Sequence, residues 1–224
     1  MYALKSLAAA TLAVLTSCGL VQASTVSLAQ ANDSFSLLFT SGVPGATLSA
    51  TAKFTLTSIS ANSATLAMHI SNDSFGAGLN ELTSLGVDVV TPGLTGATAN
   101  NGWAANTYTT LPGFQQVDLC IWGGQGCQGG GQGMLAMGSF ADFTLSLTTS
   151  GDFTANGISF TSPYGAKFQA AGTTGNSYEF TGCIVGTSNC GDAGVPPSQI
   201  PEPNILVLVG LALLSGGLRQ RNRT

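Results

Sequence analysis

Few residues in this chain have side chains suited to chemistry. Beyond the first 23 residues there are four cysteines, Cys120, Cys127, Cys183 and Cys190, one histidine, His69, and a scatter of acids. The cysteines fall as two C-x6-C pairs, which in an oxidising compartment suggests two disulfides. Four cysteines allow three pairings. The local one joins Cys120 to Cys127 and Cys183 to Cys190, each closed loop contributing about 2.5 kcal/mol by chain entropy. The rival is a staple from Cys120 or Cys127 to the C-terminal pair. It would contribute about 4.4 kcal/mol for Cys120 to Cys190, but only where the strands already bring the sulfurs together. A zinc site is disfavoured, because the spacing is wrong for a zinc ribbon and only one histidine exists.

Other constellations are weaker. Paired carboxylates for glycoside hydrolysis would have to come from Asp88, Asp118, Asp142 and Asp152, and no pair has the required context. His69 falls on the polar face of a strand, whereas a Ser-His-Asp triad needs its base in a cleft. No dense acidic loop of the calcium-binding kind appears. Asn32-Asp33-Ser34 and Asn72-Asp73-Ser74 match the glycosylation sequon only as strings. Trp103, Tyr108, Trp122 and Tyr164 lie in or beside turns. Such aromatics either stack on sugar rings or close the ends of a sandwich, and Trp103 and Trp122 are the candidate glycan contacts. No catalytic residue, metal ligand or cofactor is expected. The chain reads as non-enzymatic, with a carbohydrate-binding module as the alternative and a glycan-active or other enzyme third.

Strands position these residues. Within 47–56, Leu48, Ala50, Ala52, Phe54 and Leu56 alternate with polar neighbours, and within 63–70 so do Ala64, Leu66, Met68 and Ile70. That is the period of half-buried strands, and the Ser60-Ala61-Asn62 link between them is hairpin-sized. Further strands are expected at 34–39, 84–90, 116–122, 140–147, 157–160 and 177–180. Turn clusters separate them at 41–45, 72–74, 91–93, 111–113 and 162–165. The fold class is therefore all-β, an antiparallel β-sandwich of which the jelly roll is one form. Residues 123–133 (GGQGCQGGGQG) form a low-complexity loop. Gly124, Gly126 and Gly129 match a dinucleotide fingerprint as a string, but that motif opens a helix in a βαβ unit, and here more glycine and another strand follow.

Charge narrows the partners. Only 7% of residues are charged while 44% are hydrophobic, so the chain can bury a core without being disordered. Between Ser24 and Ile200, Lys53 and Lys167 face nine acids, a net charge of −7. That balance repels phosphate backbones, and nucleic acid is not an expected partner.

The two ends give an address. Residues 1–23 have the parts of a signal peptide: Lys5, an apolar run at 7–15, and Val21-Gln22-Ala23 before Ser24. Leu15-Thr16-Ser17-Cys18 has the form of a lipobox, in which Cys18 would carry lipid. The alternative leaves Cys18 in the discarded peptide. A β-rich domain over 24–194 and a stiff proline-rich linker at 195–200 follow. Then come Pro201, Glu202 and Pro203, an apolar run at 205–218, and Arg219, Arg221 and Arg223. A helix over that run would reach about 21 Å, shorter than the roughly 30 Å of bilayer hydrocarbon. Its arginines would remain in the cytoplasm.

The order Pro-Glu-Pro, short helix and arginine cluster closely resembles the PEP-CTERM sorting signal, here over 201–224. The resemblance implies a Gram-negative bacterium, commonly one that makes extracellular polysaccharide. It also implies retention at the inner membrane and a transient partner, exosortase, that cuts near Pro201-Glu202-Pro203 to leave a surface or secreted protein. Within the domain, Asp118-Leu119-Cys120, Cys127-Gln128-Gly129-Gly130-Gly131 and Phe143-Thr144-Leu145 resemble the cistern family of PEP-CTERM proteins. Asp33-Ser34-Phe35 and Gly86-Val87-Asp88-Val89 share the likeness, which runs from Asp33 to Tyr178 and leaves Cys183 and Cys190 outside. It implies a location and no molecular activity.

Overall fold

The computed structural model describes residues 24–130, 134–187 and 190. They form an all-β sandwich of two antiparallel sheets. The strands are β1 (Thr25–Leu28), β2 (Ser34–Val43), β3 (Ala46–Ile59), β4 (Ser63–Asn72), β5 (Phe75–Gly76), β6 (Gly78–Thr91), β7 (Leu94–Ala99), β8 (Trp103–Leu111), β9 (Phe114–Gly123), β10 (Phe140–Thr149), β11 (Ile158–Ala171), β12 (Asn176–Thr181) and β13 (Cys183–Ile184). A single helical turn, α1 (Phe153–Asn156), interrupts them. The first sheet runs β1-β11-β6-β9-β8, with β12 beside β11. The second runs β13-β2-β3-β4-β10-β7, with β5 beside β3.

The alternating segments behave as their sequence demands. β4 buries Ala64, Leu66, Met68 and Ile70 and turns the intervening residues outward. β3 buries Leu48, Ala50, Ala52, Phe54 and Leu56. These faces meet inward residues of the first sheet, Leu85, Val87 and Phe160 among them, in one continuous core. Phe35 stacks on Phe54 with ring centroids 4.7 Å apart, and both lie against Phe160. Offset aromatic packing of this kind adds about 0.5–1.5 kcal/mol to the burial itself.

The segment from 157 to 171 departs from expectation. Ser162-Pro163-Tyr164-Gly165 reads as a turn, yet it lies inside β11. The ladder between β11 and β6 shifts register between Thr161 and Gly165. On the opposite edge β11 pairs first with β1, over 158–161, and then with β12, from Gly165 onward. Pro163 stands at this seam, where its missing N–H breaks no ladder bond. Tyr164 is buried there, and its hydroxyl donates to the Ser24 carbonyl at 2.8 Å, holding the start of β1. Burial pushes the Tyr164 phenol up to about 12.

Strands β1, β7 and β8 and the two-residue β5 and β13 lie outside the expected set. β7 (LTGATA) and β8 (WAANTYTTL) are rich in Thr and Ala and carry little apolar alternation. They become strands by pairing with β10 and β9, which alternate strongly.

Candidate functional site

The outer face of the first sheet is covered by its own chain. β9 pairs with β6 only between residues 84–87 and 119–122. The tip of the β8–β9 hairpin then lies back over the sheet, and Leu111, Val117, Cys120 and Cys127 form a second small core there, flanked by Phe114 and Trp122. Glycines on the sheet make the approach close enough. A Cβ at Gly86 would stand 2.7 Å from Leu111 Cδ2, and one at Gly165 would stand 2.8 Å from the same methyl.

The glycine-rich loop completes the cover. Cys120 and Cys127 are joined, as are Cys183 and Cys190. Ser84 Oγ donates to the Cys127 carbonyl at 2.8 Å, and the Gly130 N–H donates to Gln169 Oε1. Under this cover Lys167, only 5% exposed, pairs with Glu179 from the neighbouring strand. Every buried side-chain N or O atom among the described residues has a hydrogen-bond partner. The described loop residues, 123–130, are thus anchored at both the disulfide and the sheet.

The acids are mostly occupied by backbone. Asp118 Oδ2 accepts from the Val89 N–H at 3.0 Å, and Asp88 Oδ1 accepts from the Asp118 N–H at 3.2 Å. This exchange bridges β6 and β9 where their ladder ends. Burial raises the Asp88 carboxyl above its ordinary value, with the neighbouring Asp118 charge adding to it and the Asp118 N–H opposing. Asp152 caps α1, and the Thr154 hydroxyl and N–H on its carboxylate hold its pKa below the usual range. Asp33 accepts from the N–H groups of Ala29 and Gln30, which lower it likewise. Of the four acids considered for paired-carboxylate chemistry, the fold brings only Asp88 and Asp118 together.

No second layer of described residues lies on the outer face of the second sheet. Three successive cross-strand rows stand on it over β2, β3, β4 and β10. One is Ser34, Thr55, Ala67 and Thr144. The next is Ser36, Lys53, His69 and Asp142. The third is Leu38, Thr51, Ser71 and Phe140. His69 Nδ1 and Asp142 Oδ1 are 2.7 Å apart with side chains 50% and 64% exposed, so the only histidine is a surface group and not a cleft base. Its ring lies beside Phe140, centroids 5.6 Å apart. Phe140 is 66% exposed, and Lys53 is exposed on the adjacent strand.

Of the four aromatics singled out from sequence, Trp103, Trp122 and Tyr164 are committed to packing, whereas Tyr108 is 47% exposed. Trp103 is buried and stacked on Phe143 with centroids 5.0 Å apart. Trp122 is half-buried against the second small core. Neither offers an open ring face, while Phe140 does. The signal for Phe140 was its parity, since Phe143, Leu145 and Leu147 point inward and residue 140 must then point out.

Residues 1–23, Pro201, Glu202, Pro203, Arg219, Arg221 and Arg223 lie outside the described residues. Among the described residues no helix is long and apolar enough to cross a membrane, and no cluster of three or more His, Cys, Asp or Glu side chains could hold a metal ion. No protein-family model matches the chain, and no curated protein or solved structure matches it.

Proposed function

We propose that the chain is an exported, non-catalytic protein of the cell surface or extracellular matrix of a Gram-negative bacterium. Its signal peptide directs export, its C-terminal tail holds the precursor at the inner membrane, and an exosortase cuts near Pro201-Glu202-Pro203. The observation that carries the export step is the oxidation of both C-x6-C pairs to local disulfides in a charge-poor β-sandwich. Structural disulfides persist in oxidising compartments and are rare in the cytosol. The sorting step rests on the tail, whose apolar run is too short to span comfortably and is closed by three arginines.

Intact mass of the protein recovered from the cell surface or medium tests the reading. The expected mass begins at Ser24 and ends near Pro201. A finished surface protein that retains Arg219, Arg221 and Arg223 would leave a plain tail anchor and overturn the processing step.

A further inference from the structure

We infer that Asn101 is a site of spontaneous deamidation, at which the Gly102 backbone nitrogen displaces ammonia from the Asn101 side chain and water then opens the ring. The inference goes beyond surface display and does not depend on tail cleavage. The chain holds two Asn-Gly dipeptides, Asn101-Gly102 and Asn156-Gly157. Both carry the same reactive sequence, since a glycine after asparagine has no side chain to hinder attack by its own nitrogen. The fold treats them in opposite ways.

Asn101-Gly102 is the centre of the turn that carries the chain from β7, at the edge of the second sheet, to β8, at the edge of the first. The Trp103 N–H donates to the Asn100 carbonyl at 3.0 Å, and Asn101 and Gly102 have φ of 53° and 83°. That is the I′ geometry for which Asn-Gly is a preferred pair. Both residues are exposed, and a Cβ at Gly102 would have nothing within 4 Å. The Gly102 N–H, the group that must attack, makes no hydrogen bond among the described residues. The Asn101 side chain is held by Nδ2 donating to the Asp142 carbonyl at 3.2 Å. Bringing Cγ onto the Gly102 nitrogen gives up this bond and the Trp103–Asn100 bond of the turn. An exposed turn held by two bonds opens locally at low cost.

Asn156-Gly157 is locked. Asn156 ends α1, and the Gly157 N–H donates to the Phe153 carbonyl at 2.9 Å. Gly157 is buried, and a Cβ there would stand 2.5 Å from the Leu28 carbonyl oxygen and 2.9 Å from Ala29 Cα. Its nitrogen cannot turn to the Asn156 side chain without displacing the end of β1, where Leu28 pairs with Ile158.

The step balances with water alone. The bond from Gly102 N to Asn101 Cγ forms as the Cγ–Nδ2 bond breaks, and ammonia leaves with the proton of the Gly102 amide. Water then cleaves the ring at either carbonyl. One opening gives aspartate; the other gives isoaspartate, in which the β-carbon of residue 101 joins the main chain. Aspartate sets an acceptor against the Asp142 carbonyl where Nδ2 donated, so that tie to β10 is lost. Isoaspartate lengthens the crossing between the two sheets by one atom.

The test is ageing of the full chain, purified in a polyoxyethylene detergent, in heavy-oxygen water at mildly alkaline pH, beside a parallel sample in urea. Chymotryptic mapping follows each asparagine, and fragment spectra place the label. In urea both asparagines should take up label. In the folded chain Asn101 should convert about tenfold faster than Asn156, or more, and faster as pH rises. Asn101→Gln, which would have to close a larger ring, should remove label from the turn peptide and leave Asn156 as it was, with unchanged circular dichroism verifying the fold. Folded-state conversion of Asn156 as fast as that of Asn101 would overturn the inference. So would a turn peptide that stays unlabelled in the folded chain while it converts in urea, or one that takes up the same label in Asn101→Gln. A failed ageing test leaves the mass test of tail processing untouched, so the two ideas fall separately.

Discussion

The seating of the β8–β9 hairpin on the first sheet can be tested at one methyl group. Leu111 Cδ2 is the nearest atom to an added Cβ at both Gly86 and Gly165, at 2.7 and 2.8 Å, and Leu111 is fully buried. Gly165→Ala therefore sets two effects against each other. Replacing glycine by alanine at an ordinary φ stabilises by about 0.4–1 kcal/mol through the unfolded chain. Forcing a methyl into a filled space costs about 1–3 kcal/mol. Phe114, whose ring atoms would stand 2.9 Å away, is half-buried and can shift, but the Leu111 methyl has little room. The clash wins, with a net loss of about 1–2 kcal/mol. At a urea m-value of about 2 kcal/mol/M, the denaturation midpoint falls by about 0.5–1 M. Gly42→Ala is the control, because nothing lies within 4 Å of its Cβ. It should leave the midpoint unchanged or raise it. Leu111→Ala alone should destabilise by about 2–4 kcal/mol. Combined with Gly165→Ala it should cost less than the sum, since the clashing methyl has gone. If Gly165→Ala behaves like Gly42→Ala, or the two losses simply add, the hairpin does not rest on this face and the covered-sheet argument fails.

Removing the Cys120–Cys127 bridge as a double alanine variant should lower stability by about 2.5 kcal/mol by loop entropy, read by the same denaturation curve. Lys167→Met leaves Glu179 without its partner and should destabilise by about 1–3 kcal/mol, discounted because the Glu179 side chain keeps 22% exposure. Adding Glu179→Gln should recover part of that loss, and a double variant no better than Lys167→Met would show that the pair is not coupled. The Tyr164 phenol titrates at about 12 when folded, against about 10 in an unfolded chain. Below both values the proton is held in either state. As pH rises from about 10 to about 12 the unfolded chain loses it first, so stability should fall across that window and fall less in Tyr164→Phe. Alkaline unfolding followed by circular dichroism checks this.

The strands that were legible were those whose two faces differ in polarity. In β3, β4 and β10 the inward positions are apolar except Asn72 and Thr149 at strand ends, and most outward ones are Ser, Thr, Lys, His or Asp. A one-residue slip would expose the whole apolar set, so the pattern fixes both face and register. β6 and the second half of β11 were harder. β6 is buried on both faces from Leu82 to Val87, and β11 from Tyr164 to Phe168, because the hairpin and the glycine loop lie on top. A segment covered twice shows no alternation, and Gly165 reads locally as part of a turn. Its role depends on a cover supplied by residues 111–130, which local periodicity cannot see.

The same logic explains where the two tryptophans go. Tryptophan near a turn is the usual signal for sugar stacking, but a tryptophan next to a glycine-rich loop also offers the largest apolar surface with which to fill the gap the glycines leave. Trp122 does this beside the Cys120–Cys127 bridge, and Trp103 closes the sandwich against Phe143. Phe140 has no such use, because its strand turns it away from the core while Ala141 and Phe143 point in. Phe75, Leu79 and Val90 are likewise 60% or more exposed, so a single outward apolar residue is ordinary on this surface. The neighbours of Phe140 are a histidine already held by Asp142 and a row of hydroxyls, and the nearest exposed cation is Lys53. Asp142 stands in the same row as Lys53, and Ser71 Oγ donates to the exposed Asp73, so the charge of this face sets no preference for an acidic partner.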